Sequence, residues 1–187
     1  MKKTVLTFGL ISGVIASLLM FATLPFIGRI GFDYGMVIGY TTIVLSFMMV
    51  FFGIRSYREN VGGGYITFGK AFAVGILITL ISCVFYVGTW EVIYWKFMPD
   101  FVEKYSKYAI DQVIASGAST DVVNAKIQEM KEFAVMYSNP LVNVAFTLME
   151  PFPVGLLISL ISAAVLRRRP KPEGQNLSAE AQAEARA

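Results

Sequence analysis

The chain has 187 residues, 56% hydrophobic and 16% charged, whereas soluble globular domains carry about a quarter charged residues. That balance excludes an ordinary water-soluble domain and suits several membrane spans of about 20 apolar residues each, with one membrane domain as the simplest count. The net charge of +3 does not point to nucleic acid, because the basic residues stand at the ends of apolar runs. Histidine is absent and Cys83 is the single cysteine, which argues against zinc hydrolysis and Ser-His-Asp chemistry and permits no intrachain disulfide.

Met1-Lys2-Lys3 leads into an apolar run that predicts a first helix over 4–27. The run is longer than a signal-peptide core of roughly 7 to 15 residues and no A-x-A-like site follows it, so an uncleaved helix is expected. The link Gly28 to Asp33 turns the chain, and a second helix over 34–54 stops at Arg55. Gly62-Gly63-Gly64 make the next stretch a loop, since glycines in succession cost a helix too much backbone entropy. A third helix over 68–94 follows, with Thr67 as its N-cap. Trp90, Tyr94 and Trp95 sit where it leaves the bilayer, as an aromatic belt does.

The stretch from Lys96 to Asn139 is the long polar region. Phe101, Val102, Tyr105, Tyr108, Val113 and Ile114 fall near one helical face; after Ser116-Gly117-Ala118-Ser119, so do Val123, Ile127, Met130, Ala134 and Tyr137. An amphipathic helical hairpin over 98–138 is predicted, too polar to span and placed outside the bilayer. A fourth helix over 140–166 opens on Pro140, where a missing N–H does no harm. The segment 169–187 is short of core-forming residues and reads as a disordered tail. The fold class expected is all-α, a polytopic four-transmembrane-helix bundle over 1–168 with an extracytoplasmic helical hairpin between helices 3 and 4.

Lys2 and Lys3, then Arg55, Arg58 and Lys70, then Arg167, Arg168, Arg169 and Lys171 fall on one side of such a bundle. The positive-inside rule makes that side, with both termini, cytoplasmic. Five lysines against six acids give the hairpin region no basic surplus to hold it inside.

Gly64 to Lys70 satisfies G-x-x-x-x-G-K, but Ala71 stands where a magnesium-binding hydroxyl belongs and no strand precedes, so the segment reads as a loop leading into a helix. Gly9, Gly13 and Ser17 form one small-residue stripe, and Gly31, Gly35 and Gly39 another. Spacing of four lets backbones approach closely, within the monomer or, alternatively, in a homodimer.

Glu91 and Glu150 are the ionisable residues set deepest in the apolar runs, and such residues are functional candidates because burying a charge in hydrocarbon is expensive. At ~1.5 Å per residue, Glu91 lies about 31 Å from Lys70 and Glu150 about 25 Å from Arg167, near the outer boundary. Pro151 and Pro153 should kink the fourth helix there. Two close carboxylates cannot both ionise cheaply, so a candidate polar site is expected from Glu91, Glu150, Arg29 and Asp33, with a shared proton or Arg29 between the acids. The alternative is purely structural anchoring of the outer ends of the helices.

Tyr57-Arg58, the loop and helix start Gly63-Gly64-Tyr65-Ile66-Thr67-Phe68-Gly69-Lys70-Ala71-Phe72, an acid in the third helix, and Glu150-Pro151-Phe152-Pro153-Val154-Gly155 together resemble the bacterial membrane family known as domain of unknown function 4199. The resemblance runs from about Lys3 to Arg168. It implies a small inner-membrane protein with four helices and a helical insertion before the last, and it implies no activity. The function expected is non-enzymatic and without cofactor or metal: a scaffold or accessory subunit that meets a membrane or envelope protein through the hairpin. The alternative is a small carrier or channel component, homodimeric through the glycine stripes.

Overall fold

The computed structural model describes residues 1–169, so all but the first residue of the predicted tail lies outside the described residues. Every element is helical: α1 (Lys2–Thr23), a 3-10 turn (Leu24–Phe26), α2 (Ile27–Asn60), α3 (Phe68–Lys96), α4 (Phe101–Ala115), α5 (Thr120–Tyr137), α6 (Pro140–Leu148) and α7 (Pro151–Leu166). Among the described residues, three stretches are long and apolar enough to cross a membrane: Lys2–Asn60, Phe68–Lys96 and Pro140–Leu166.

The first stretch is 59 residues long, far more than the roughly 20 that one crossing needs, and it folds back on itself. Sequence reasoning predicts a non-helical link over residues 28–33. The structure instead carries helix on both sides and concentrates the reversal at Gly31, whose φ of 69° and ψ of 175° suit a residue without a Cβ. α1 and α2 then run antiparallel, with Ser12 against Ser46 and Phe8 against Gly53. α2 also continues past its predicted end at residue 54. A charge ends a hydrophobic span but not a helix: Tyr57 stays buried, and Arg55 reaches Glu59 one turn on at 3.0 Å.

α3 is the central helix, packed against α1, α2 and α7, with Ala71, Val74 and Ile78 wholly buried. Its approach to α1 is close because Gly9 and Gly13 leave room for Ile81 and Phe85. Hydroxyls tie the helices together. Ser12 donates to the Ser46 carbonyl at 2.8 Å and sits 2.8 Å from the Ser82 hydroxyl, joining α1, α2 and α3. The Thr79 and Ser159 hydroxyls, 3.1 Å apart, join α3 to α7. Interhelical bonds of this kind contribute about 0.6 kcal/mol on average in membranes.

The predicted fourth helix is broken. α6 ends at Leu148 and α7 begins at Pro151; Pro151 and Pro153 carry no N–H, so the carbonyls of Thr147 and Met149 lose their usual helical donors. At the other end of the bundle, Ile66 and Arg168 exchange backbone hydrogen bonds of 3.0 and 2.9 Å, and the Arg58 guanidinium donates to the Leu166 carbonyl at 3.3 Å. α4 and α5 pack on each other as a hairpin, turned at Gly117 with φ 74°.

Candidate functional site

A polar stripe runs up α3 through Thr79, Ser82, Tyr86 and Thr89, residues that share a face by helical spacing and are all buried. Its lower members hold α1 and α7, as described above. Thr89 pairs with Ser17 at 2.7 Å. Tyr86, 7% exposed, donates its hydroxyl to the Glu150 carboxylate at 3.0 Å. Glu150 sits in the break between α6 and α7, where its own N–H reaches the Thr147 carbonyl at 3.4 Å. The acid is therefore accessible from the side of the bundle while its partner is fixed inside. One turn before Thr147, Asn143 is wholly buried; it accepts the Thr147 hydroxyl at 3.2 Å, and its Nδ2 has no partner among the described residues.

Directly above this group the hairpin is anchored. The Trp90 indole donates to the Tyr137 hydroxyl at 3.0 Å. Tyr137, the last residue of α5, packs against Tyr94 and Phe133 with ring centroids 5.4 and 5.1 Å away, and Phe146 of α6 lies beyond them. Burial pushes the Tyr137 phenol up from its ordinary value. On the α4 side, Phe32 sits among Phe101, Tyr105 and Tyr108, and the Tyr108 hydroxyl donates to Asp33. These contacts hold the base of the hairpin to three different helices of the bundle.

The structure does not gather the acids and Arg29 into one site. Among the described residues, no hydrogen bond or ion pair joins any two of Glu91, Glu150, Arg29 and Asp33. Glu91 accepts from the Trp95 indole at 3.0 Å, with its Oε1 buried and unpartnered; Asp33 holds Tyr108; Arg29 is exposed and forms no ion pair. Helical geometry explains the separation, since Tyr86 and Glu91 are five residues apart and face different directions, so the residue that meets Glu150 is not the neighbouring acid. Pro151 is buried at the start of α7 and Pro153 exposed two residues on. Gly9 and Gly13 pack against α3, whereas a Cβ added to Gly31, Gly35 or Gly39 would meet nothing within 4 Å.

Sequence reasoning missed Tyr86, Asn143 and Tyr137 as polar partners. The stripe Thr79-Ser82-Tyr86-Thr89 was a readable signal; Asn143 near the start of an apolar run was another. Of the three residues expected to form an aromatic belt, Trp90 and Tyr94 pack beneath the hairpin, while Trp95 is exposed. The groups assembled here can hold hydrogen bonds, a proton or a cation; among the described residues, no three of Cys, Asp and Glu are placed to bind a metal ion.

No curated protein and no solved structure shows a significant match to the chain. A family model does, over residues 7–168, nearly the whole of the described chain. The chain thus belongs to the family described as protein of unknown function DUF4199.

Proposed function

We propose that the protein is a non-enzymatic scaffold or accessory subunit of the bacterial inner membrane, crossing the bilayer four times and presenting its hairpin to an envelope partner outside. The observation that carries this reading is the hairpin's two-part construction. Its base is clamped by Phe32, Trp90, Tyr94 and Phe146, whereas residues 109–132 take no part in that clamp. Near the tip, Ile114 and Val122 are 54% and 51% exposed. A rigid mount with apolar residues at its free end suits presentation better than mere connection. The reversal at Gly31 supports four crossings, since each arm of the first stretch is long enough to span, and the charge distribution supports cytoplasmic termini.

Two measurements test it. A reporter fused after Arg169 should be cytoplasmic and one inserted at Ala118 extracytoplasmic; either reversed would overturn the topology. Photocrosslinkers attached to cysteines placed at Lys107 and Asn124 should capture one and the same protein from intact cells, and Ile114→Asp with Val122→Asp should abolish that capture. Random adducts, or capture unaffected by the tip changes, would remove the partner role.

A second reading, a small carrier or channel component, is favoured by the broken helix at Glu150. Interrupted helices form ion and substrate sites in transporters, and acids within membrane helices mark ion and proton pathways. The outward face of α2 around Gly35 and Gly39, with Met36 and Val37 more than 60% exposed, gives this reading a surface for a second copy. Solute or proton flux in liposomes holding the purified protein, lost in Glu150→Gln, would favour the carrier over the scaffold.

A further inference from the structure

At the end of the bundle opposite the hairpin, four segments deliver positive charge: Lys2 and Lys3 begin α1, Arg55 and Arg58 end α2, Lys70 lies in the first turn of α3, and Arg167 to Arg169 follow α7. The one acid at this end among the described residues, Glu59, is taken up by Arg55 at 3.0 Å and Arg58 at 3.2 Å. Lys2, Lys3, Lys70, Arg167, Arg168 and Arg169 have no ion pair among the described residues. The arginine run is not left to trail away. The paired hydrogen bonds between Ile66 and Arg168, with Arg58 on the Leu166 carbonyl, hold it alongside the loop that opens α3.

Apolar surface adjoins the charge. Beside Lys2, Met1, Val5, Leu6 and Leu77 line a shallow groove between α1 and α3, and on α7, two residues before Arg167, Val165 is 67% exposed. We propose that this end is a docking surface for anionic phospholipids, the arginines and lysines holding phosphate headgroups and the apolar faces next to them, Val165 beside the arginines and the α1–α3 groove beside Lys2, holding acyl chains. Charge complementarity selects the head, and the adjoining apolar faces select an amphiphile over free phosphate or nucleic acid, which would gain nothing from apolar contact. Arg suits the task through its planar fork of donors. The proposal rests on the bundle spanning a bilayer, and not on the hairpin having a partner.

The test titrates the full-length protein in neutral detergent with phosphatidylglycerol, phosphatidylcholine, glycerol 3-phosphate or inorganic phosphate, reading bound lipid by native mass spectrometry. Phosphatidylglycerol should bind at least tenfold more tightly than phosphatidylcholine, the preference shrinking with salt. At about fivefold per basic residue near a charged membrane surface, R167Q/R168Q/R169Q should weaken it roughly a hundredfold, while K96Q/K107Q/K131Q, the same charge removed elsewhere, should not. Equal binding of the two lipids, an unaffected arginine variant, or an equal loss in the lysine variant would overturn the proposal. Competition by glycerol 3-phosphate or inorganic phosphate as strong as by phosphatidylglycerol would assign a free phosphate instead and overturn it too. Release from membranes by alkaline carbonate would remove the bilayer placement itself; resistance to carbonate with indifference to lipid charge would remove only the headgroup docking.

Discussion

Replacing Gly13 by alanine tests the packing on which the bundle depends. A Cβ there would lie 2.5 Å from Cγ of Phe85 and 2.7 Å from its Cβ, where relaxed carbon contacts are about 3.5–4.0 Å. Because those atoms adjoin the α3 backbone, rotating the ring cannot clear them, so α1 and α3 must separate by roughly an ångström. Overpacking of this kind costs about 1–3 kcal/mol. The separation also stretches the Ser12–Ser82 bond of 2.8 Å beside it, worth ~0.6 kcal/mol. Alanine's better helix propensity returns about 0.5–1 kcal/mol, leaving a net loss of about 1–3 kcal/mol. Gly39→Ala, with nothing within 4 Å, should show only the gain. Reversible unfolding of both variants in mixed detergent micelles reads the difference. Equal stabilities for the two would refute the close approach of α1 and α3.

The Glu150–Tyr86 bond predicts an ordered series. Glu150→Gln keeps an acceptor and should cost little, whereas Glu150→Leu strands the buried Tyr86 hydroxyl at about 1–3 kcal/mol, and adding Tyr86→Phe should recover most of that loss; a double variant as unstable as the sum of both singles would break the assigned pairing. At the hairpin base, the raised Tyr137 phenol means that the folded state holds its proton more tightly than the unfolded one. Docking should therefore be complete below the ordinary phenol value of about 10 and weaken as pH rises through and above it. Hydrogen exchange of α5 should show that alkaline opening in the native protein and a flatter profile in Tyr137→Phe, and identical profiles would discard the assignment.

Much of the helical layout was legible because apolar runs and glycine loops are local signals. Thr67 capping the Lys70 N–H at 3.4 Å and Asn139 capping the N–H of Leu141 at 3.0 Å are choices made within four residues. The break at Glu150 was legible for the same reason, since two prolines two apart cannot continue a helix unaided. What sequence could not supply was rotation. Whether Glu150 meets Glu91, Arg29 or Tyr86 depends on how α3 turns about its axis relative to its neighbours, and that is set by Gly155 against Thr79 and Gly13 against Phe85, contacts between residues more than 70 positions apart. The packing of Trp90 and Tyr94 was hidden on similar grounds: a Trp or Tyr at a helix end serves lipid or protein equally well until its neighbour is known.

The aromatic clamp also imposes an order on assembly. The contacts that seat the hairpin span very different stretches of chain: Asp33 to Tyr108 closes 75 residues, Trp90 to Tyr137 closes 47, and Phe133 to Phe146 far fewer. As the chain emerges, α4 finds its seat on Phe32 once α1 to α3 are in place, because every residue of that contact already exists. α5 gains its last wall only when α6 has followed it, so the hairpin stays half-seated until the final helix pair enters. Completion of the fold at the hairpin end thus waits on the arrival of α6, and a released chain truncated between Tyr137 and Phe146 should leave α5 open to protease while α4 is already protected.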